Sequence, residues 1–196
     1  NNMLGFDNGI FIPDDSAFTY IGNAATSATI RVATSQDAIL PRVITSAIDI
    51  YEPDLRATVF IDDLNGAPAE PGDILEYTVT GKNIGSDISL DTYMETTLNI
   101  RTEYIPNTIE YINGPFIGPK TDVAGDDQAE YDPINRIVRT RVNNFANASL
   151  GGTMENSANG ADSATVKFSV QVVDDCIILD CDSTLENEAY IYGNGQ

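Results

Sequence analysis

Acidic and amide side chains that could bind a hard cation occur in the segment "FIDDLNGAPAEPGD". The residues concerned are Asp62, Asp63, Asn65 and Asp73. Calcium takes about six to eight oxygen ligands, which the carboxylates, amide oxygens and backbone carbonyls of a loop can supply. Asp and Asn side chains also bond nearby backbone amides in ordinary turns. We therefore expect either an irregular calcium loop or plain turn chemistry at this position.

A second acidic loop, "TDVAGDDQAEYDP", offers a further set of oxygen ligands. Its candidate residues are Asp122, Asp126, Asp127, Glu130 and Asp132. Calcium binding and a solvated loop are the two interpretations here. Calcium is thus the cofactor that the sequence suggests.

Catalytic residues are harder to find. The sequence contains no His, which removes the usual general base, the Ser-His-Asp and Cys-His arrangements and most transition-metal sites. No glycine-rich phosphate loop opens a helix, because Gly151 and Gly152 continue as "TMENSANG". Carboxylate pairs at glycosidase spacing are expected by chance among 30 acidic residues. The sequence therefore predicts a protein that is not an enzyme.

The charge balance restricts the partners. Acidic residues outnumber basic ones by 30 to 10 in a chain of 196 residues, and the formal net charge is −20. Such a charge repels nucleic-acid phosphates and anionic lipids, so multivalent cations are the natural counter-ions. No apolar run is long enough to span a bilayer. Because the sequence starts without an initiator Met or a signal-peptide pattern, we expect a piece of a longer or processed protein.

Apolar and polar residues alternate along several segments, which is the pattern of half-buried antiparallel strands. The clearest is "SATVKFSVQVV", and the same period of two appears in "LRATVFI", "LEYTVTG" and "ITSAIDI". Less regular alternation marks "SATIRVAT", "NTIEYI", "INRIVRTRV" and "NEAYIYG". We predict about eight or nine short strands.

Clusters of Gly, Pro, Asn and Asp separate these segments, and no stretch keeps a helical apolar period without a breaker. We therefore predict an all-β fold, an immunoglobulin-like antiparallel β-sandwich, with a closed barrel as the architectural alternative. Pro53 interrupts the alternation, so the sandwich is assigned to residues 53–196. Residues 1–52 hold too few strands to be stable alone. We assign them to the tail of a preceding β domain, or to linking strands that pack against the sandwich.

The segment "FIDDLNGAPAEPGDILEYTVTGKNIG", with "YIPNTIEYING" and "LENEAYIYGNG", resembles a bacterial cell-surface repeat domain of unknown function, family number eleven. The resemblance covers residues 54–193. The preceding "NAATSATIRVATSQDAILPRVITSAIDIYEPDL" is similar to the segment that leads into such domains in large exported modular proteins of Bacteroidota. Those proteins are type IX secreted and are adhesin-like or gliding-associated. The resemblance implies an extracellular location at the cell surface and a spacer or adhesin role, with no assigned activity.

Two kinds of covalent modification fit an exported protein. Cys176 and Cys181, in "DDCIILDC", are spaced for a local disulfide that pins a hairpin tip, with two free thiols as the alternative. Asn147 lies in the glycosylation sequon "NAS". Ser16 and Ser163 lie in "DSA", which resembles the oxygen-glycosylation motif of Bacteroidota.

Two functions follow as expectations. The first is a non-catalytic structural module of a large surface adhesin or filament, rigidified by calcium, with neighbouring β domains of the same protein or like subunits as partners. The alternative is a carbohydrate- or ligand-binding module that uses exposed aromatic rings. The candidate rings belong to Tyr93, Tyr104, Tyr111, Phe116 and Tyr131. The chain has no Trp, which favours the structural module.

Overall fold

The computed structural model describes residues 9–10, 12, 25–35, 43–47, 51–156, 162–179 and 184–195. The chain divides into two compact units, Asn1–Ile48 and Asp49–Gln196. No strand or helix occurs in the residues of the first unit that are described. The predicted strand "SATIRVAT" is therefore wrong, and residues 43–47 of the first unit are likewise not in a strand. Residues 48–50 lie outside the described residues.

The reason for this difference is exposure. Ile30, Val32 and Ile44 are each at least half exposed to solvent. Alternation predicts a strand because one face is buried against a core and the backbone is paired with a neighbour. Neither condition holds for these side chains, so the sequence pattern alone is not enough.

The second unit is an all-β sandwich of antiparallel strands, which confirms the predicted fold class. Its single described helix is α1 (Cys176–Leu179). No helix in the described part of the chain is long and apolar enough to cross a membrane. The strands are β1 (Leu55–Asp63), β2 (Ile74–Asn83), β3 (Ser89–Thr97), β4 (Thr102–Tyr104), β5 (Glu110–Asn113), β6 (Gly118–Pro119), β7 (Ala129–Asp132), β8 (Ile137–Arg141), β9 (Gly152–Met154), β10 (Ser163–Val172) and β11 (Glu188–Gly195).

Two sheets make up the sandwich. Sheet 1 has the order β1-β2-β10-β5-β6, with β4 also pairing with β10. Sheet 2 has the order β11-β3-β8-β7, with β9 also pairing with β3. β1 and β6 therefore end sheet 1, and β11 and β7 end sheet 2.

The core lies between the sheets and uses the inward positions of each strand. In β2, Leu75, Tyr77 and Val79 are buried, and the residues between them are half-buried. β10 shows the same alternation, and the ring of Phe168 stacks on that of Tyr77 with a centroid distance of 5.2 Å. Burial of these apolar and aromatic side chains is the main force that holds the sheets together.

Asn83 closes one end of the sandwich. Its Oδ1 accepts hydrogen bonds from the amides of Asp54 and Gly85, at 3.1 and 3.0 Å. Its Nδ2 donates to the carbonyls of Asp87 and Met154, at 2.8 and 3.3 Å. Asn83 is fully buried. The amide therefore binds the start of β1 to two other segments, which explains the polar residue that ends "VTGKN".

The chain enters and leaves the sandwich at this same end. The first residue of β1, Leu55, pairs with Asn83, and the last residue of β11, Gly195, pairs with Ser89. A Cβ atom on Gly195 would lie 3.3 Å from Cδ of Pro53. Because β1 has nine residues, its other end at Asp63 lies about 26 Å away.

Candidate functional site

The first acidic turn joins β1 to β2 and is closed by its own side chains. Oδ1 of Asp63 accepts hydrogen bonds from the amides of Asn65 and Gly66, at 2.9 and 3.3 Å. Oδ1 of Asn65 accepts from the amide of Ile74 at 2.8 Å. Oδ2 of Asp73 accepts from another amide of the turn at 2.7 Å. Turn chemistry thus accounts for three of the four candidate ligands here.

Asp62 and Asp63 do not converge on one point. Both are strand residues of β1, where successive side chains leave opposite faces of the sheet. Asp62 is exposed, whereas Oδ2 of Asp63 is buried and has no hydrogen-bond partner. A bound cation would satisfy this oxygen, since buried polar atoms usually have a partner.

Asp122 in the second loop is engaged by two donors. Its Oδ1 accepts from the hydroxyl of Tyr104 at 2.5 Å, and its Oδ2 accepts from the amide of Asn107 at 2.6 Å. Burial, and then the hydrogen bond to Asp122, raise the pKa of Tyr104. The carboxylate therefore fixes the loop against β4.

The other aspartates of this loop bond to separate groups. Oδ1 of Asp126 accepts from the hydroxyl of Thr121 at 2.6 Å. Asp127 accepts from the amide of Thr121 at 2.9 Å and from a second amide at 2.8 Å. Asp132 begins the turn between β7 and β8. Hydrogen bonds from the side chain and then the backbone of Asn135 lower the pKa of Asp132.

Glu130 belongs to a different group of charges, which the sequence pattern does not predict. This ionic cluster consists of Glu95, Glu130, Arg139 and Arg141, on the outer face of sheet 2. Oε1 of Glu130 lies 2.7 Å from Nη1 of Arg139 and 3.2 Å from Nη2 of Arg141. Arg139 also contacts Oε1 of Glu95, through Nη2 at 2.6 Å and Nε at 2.7 Å. Glu130 is thus paired with arginines rather than with the other candidate calcium ligands.

The sequence indicates the two arginines of this cluster but not their acidic partners. In "INRIVRTRV" the period of two places Arg139 and Arg141 on the face opposite Val138. Their partners come from β3 and β7, and nothing local indicates which strands lie beside β8. The cluster links three strands through charge-assisted hydrogen bonds.

The arrangement of the acidic side chains in the described residues gives no direct support for a metal site. Across the described residues, no group of three or more His, Cys, Asp or Glu side chains is placed to hold one ion. The two predicted calcium loops distribute their carboxylates over separate backbone amides. Calcium binding at either loop stays a prediction, with Oδ2 of Asp63 as the atom that has most to gain.

Four of the five aromatic candidates pack inward. Tyr111 is only 1% exposed. Tyr104, Phe116 and Tyr131 pack against the hydrophobic core. The rings of Tyr104 and Tyr131 stack with a centroid distance of 4.2 Å. These rings stabilise the sandwich and do not form an exposed surface.

The fifth candidate, Tyr93, lies on the outer face of sheet 2 but is covered on its ring. It stacks on Tyr192 of β11 with a centroid distance of 5.1 Å and an interplanar angle of 24°. The guanidinium of Arg139 lies 5.8 Å from the centre of the Tyr93 ring. Neighbouring strands are about 4.8 Å apart, so stacking across them turns the ring faces toward each other rather than outward.

The predicted disulfide lies partly outside the described residues. Cys176 is the first residue of α1, and Cys181 is not described. The amide of Leu179 donates to the carbonyl of Asp175 at 3.0 Å, which closes this single helical turn.

The candidate glycosylation residues differ in setting. Ser16 lies outside the described residues. Ser163 begins β10, and Nδ2 of Asn113 donates to its hydroxyl at 3.0 Å. Asn147 is exposed, and its Oδ1 accepts from the amide of Ser149 at 2.9 Å. All three modifications stay predictions.

Comparison with known proteins identifies no family for this chain. No protein-family model matches it, and no curated protein is significantly similar to it.

Proposed function

We propose that this chain is a non-catalytic structural module of a large bacterial cell-surface protein, an adhesin or a surface filament, with an immunoglobulin-like sandwich. One observation carries the proposal: the chain enters and leaves the sandwich at one end, and the first acidic turn lies at the other. Polypeptide joined before Leu55 and after Gly195 would meet the sandwich at a single end. The end of the sandwich that carries the first acidic turn would then point away from the connecting polypeptide.

The two ends of the sandwich are built to keep their shape. At the attachment end, the fully buried Asn83 makes four hydrogen bonds. Two join β2 to Asp54 and Met154, and the other two hold the turn that follows β2. At the far end, Asp63, Asn65 and Asp73 bond the amides of their own turn. Asn83 is a buried and fully satisfied polar group, which makes the attachment end rigid. The far-end turn is exposed and is held by hydrogen bonds to its own amides, with Oδ2 of Asp63 left for a cation. A rigid body of this kind suits a structural role.

The setting of the module rests on the resemblance of residues 54–193 to the surface repeat domain. It implies an extracellular position and, as partners, neighbouring β domains or like subunits. Calcium would add rigidity by binding Oδ2 of Asp63 in the turn at the far end. The five candidate rings do not favour the carbohydrate-binding alternative, since a sugar needs an exposed ring face and these rings pack inward or against a neighbouring ring.

Thermal unfolding of the full chain tests this function. A polysaccharide panel should leave the midpoint unchanged. Calcium should raise the midpoint, with the logarithm of ion concentration once the site is mostly occupied, because a ligand that binds only the folded state stabilises it. Asp63→Asn should abolish the calcium effect. Asp162→Asn is the matched control, because Asp162 also accepts a hydrogen bond from a backbone amide, at 2.6 Å, but lies outside both acidic loops.

The outcomes separate the parts of the proposal. A midpoint that calcium does not move would remove the metal and leave the structural role. A concentration-dependent rise with a polysaccharide would overturn the structural assignment and support the carbohydrate-binding alternative.

A further inference from the structure

We propose that β1 pairs with β1 of a second copy of this chain, in an antiparallel arrangement about a two-fold axis at Val59. This proposal goes beyond the structural role and does not depend on it. It names the surface and the occupant: the free edge of sheet 1 and an identical strand.

The strands that end the two sheets differ in how well their free edges are protected against pairing with another chain. β4 and β9 also pair with one named strand only, but each has just three residues. β6 has two residues, one of them Pro119, and β7 has four. β11 has a shift of register between Tyr192 and Asn194. Short strands, Pro and bulges all prevent an edge from pairing with another chain. β1 has nine residues, no Pro and an unbroken register with β2. β1 therefore offers the longest regular run of unpaired backbone groups for strand addition among these edges.

The hydrogen bonds show which backbone groups of β1 are free. The amide of Leu64 donates to the carbonyl of Ile74, and the carbonyl of Asp54 accepts from the amide of Ile84. Hydrogen-bonded pairs alternate along an antiparallel ladder. The even-numbered residues of β1 therefore point their amides and carbonyls toward β2. The odd-numbered residues point theirs toward the free edge, and only these can pair with a second copy.

An axis at Val59 matches all of these free groups. Residue numbers that face each other then sum to twice 59, so Val59 faces Val59 and Ala57 faces Ile61. Odd residues face odd residues along the whole strand, from Leu55 opposite Asp63 to Asp63 opposite Leu55. Each facing pair of this kind exchanges two backbone hydrogen bonds, about ten in total for the strand.

The side chains select this register. On the outer face, Arg56 bonds Asp54 of its own chain, through Nε at 2.6 Å and Nη2 at 2.9 Å. In the proposed pair Arg56 also lies opposite Asp62 of the second copy, and the symmetry repeats this opposite-charge contact on the other side of the axis. Moving the axis to residue 58 would instead place Asp54 opposite Asp62. Opposite charges that face each other across two strands stabilise the pair, whereas like charges weaken it.

The proposed pairing also explains why a large aromatic ring, that of Phe60, lies on the outer face of β1. It is 66% exposed, on an outer face whose other β1 residues are Arg56, Thr58 and Asp62. In the proposed pair, Phe60 faces Thr58 of the second copy, and the two Phe60 rings become diagonal neighbours across the axis. Diagonal positions about 7–8 Å apart are within reach of aromatic side chains. The paired strands would thus cover an exposed ring.

Charge exchange tests the proposal directly. Arg56→Asp alone puts Asp opposite Asp62 at both positions, and Asp62→Arg alone puts Arg opposite Arg56 at both. Each variant alone should dimerise about tenfold or more weakly than the unmodified chain. An equimolar mixture of the two restores both opposite-charge pairs, so it should form a heterodimer about as tight as the original dimer.

Analytical ultracentrifugation of the full chain over a concentration series gives the dissociation constants. An ionic strength of ~0.15 M screens the net charge beyond about 8 Å and leaves facing charges in effect. Glu103→Arg is the matched control: it changes the charge as much as Asp62→Arg, at an exposed position of β4, and should not weaken the dimer. Phe60→Ser, which leaves every charge in place, should weaken it. Thermal melts check that each variant is folded.

Three results would overturn the pairing. One is a monomeric chain at every concentration. Another is an equimolar mixture of the two charge variants that associates no more tightly than Asp62→Arg alone. Asp62→Arg is the reference because its lower negative charge by itself favours association. The last is a dimer that all three β1 variants leave unchanged, because the contact would then use another surface.

Discussion

Removing the carboxylate of Glu130 should cost this protein a large part of its stability. The Glu130 side chain is 12% exposed, and that of Arg141 is 11% exposed. Nη1 of Arg141 is already buried without a partner. Glu130→Ala would leave the Arg141 guanidinium buried without its carboxylate. Breaking a buried ion pair from one side costs about 3–5 kcal/mol, out of a total stability of about 5–15 kcal/mol for typical proteins.

Glu95→Ala is the comparison that isolates burial. Its partner Arg139 is 40% exposed and keeps its contact with Glu130. The Glu95 side chain is 17% exposed, but the arginine that its removal leaves behind stays solvated and paired, so the loss should be about 1 kcal/mol or less. The free energy of unfolding from urea titration of the full chain should therefore fall at least about three times as much for Glu130→Ala as for Glu95→Ala.

A double variant tests the physical cause. Arg141→Met on the Glu130→Ala background removes the stranded charge and keeps an apolar side chain. Replacement of a buried ion pair by apolar groups is often neutral, so most of the lost stability should return. The carbonyl of Arg141, which accepts from the hydroxyl of Tyr111 at 2.8 Å, is retained. Equal losses for the two Glu variants, or a double variant weaker than Glu130→Ala, would refute this reasoning.

Three further predictions concern tyrosines and glycines. Burial raises the pKa of Tyr77, Tyr104 and Tyr111, whereas unfolded tyrosines lose protons near pH 10. Above about pH 10 the unfolded state then binds fewer protons than the folded state, so the free energy of unfolding should fall as the pH rises, by up to about 1.4 kcal/mol per pH unit for each Tyr. Urea titrations at a series of pH values measure this slope. Tyr→Phe variants should flatten the slope, and an unchanged slope would contradict the assignment. At neutral pH, Tyr77→Phe should leave the free energy of unfolding unchanged or raise it, because this buried hydroxyl has no partner. Tyr111→Phe should lower it by about 1 kcal/mol, because a hydrogen bond is lost. A larger loss for Tyr77→Phe than for Tyr111→Phe would contradict this reasoning. Gly152→Ala should lower the melting temperature more than Gly81→Ala. A Cβ atom at position 152 would lie 2.3–2.6 Å from three backbone carbonyl oxygens, whereas a Cβ atom at position 81 would lie 2.7 Å from the ends of two flexible side chains. Equal losses would argue against this packing.

The strands that were predicted correctly share an apolar inward face. β2 buries Leu75, Tyr77 and Val79, and β10 buries Val166 and Phe168, so the period of two is visible in the residue types. The turn after β1 was also indicated, because Asp and Asn were placed where amides needed acceptors. Both kinds of signal are local.

β3, in the middle of sheet 2, gave no such signal. Its inward residues include Ser89, Thr92 and Thr96, all buried but polar or small. Asp91 takes a φ of +51°, where the register with β9 shifts between Ser89 and Thr92. Polar inward residues and a bulge both hide the alternation that identifies a strand.

The all-β class, most of the longer strands and the turn residues are readable in the sequence, because each follows from neighbours a few positions apart. The pairing of carboxylates with arginines, the burial of individual aromatic rings and the position of the free sheet edges follow from the folded chain instead. These depend on strand order, and strand order is set by the combined packing of residues far apart in the chain. Glu130 illustrates the difference: an acidic loop residue in the sequence, it becomes the partner of two arginines once β7 pairs with β8.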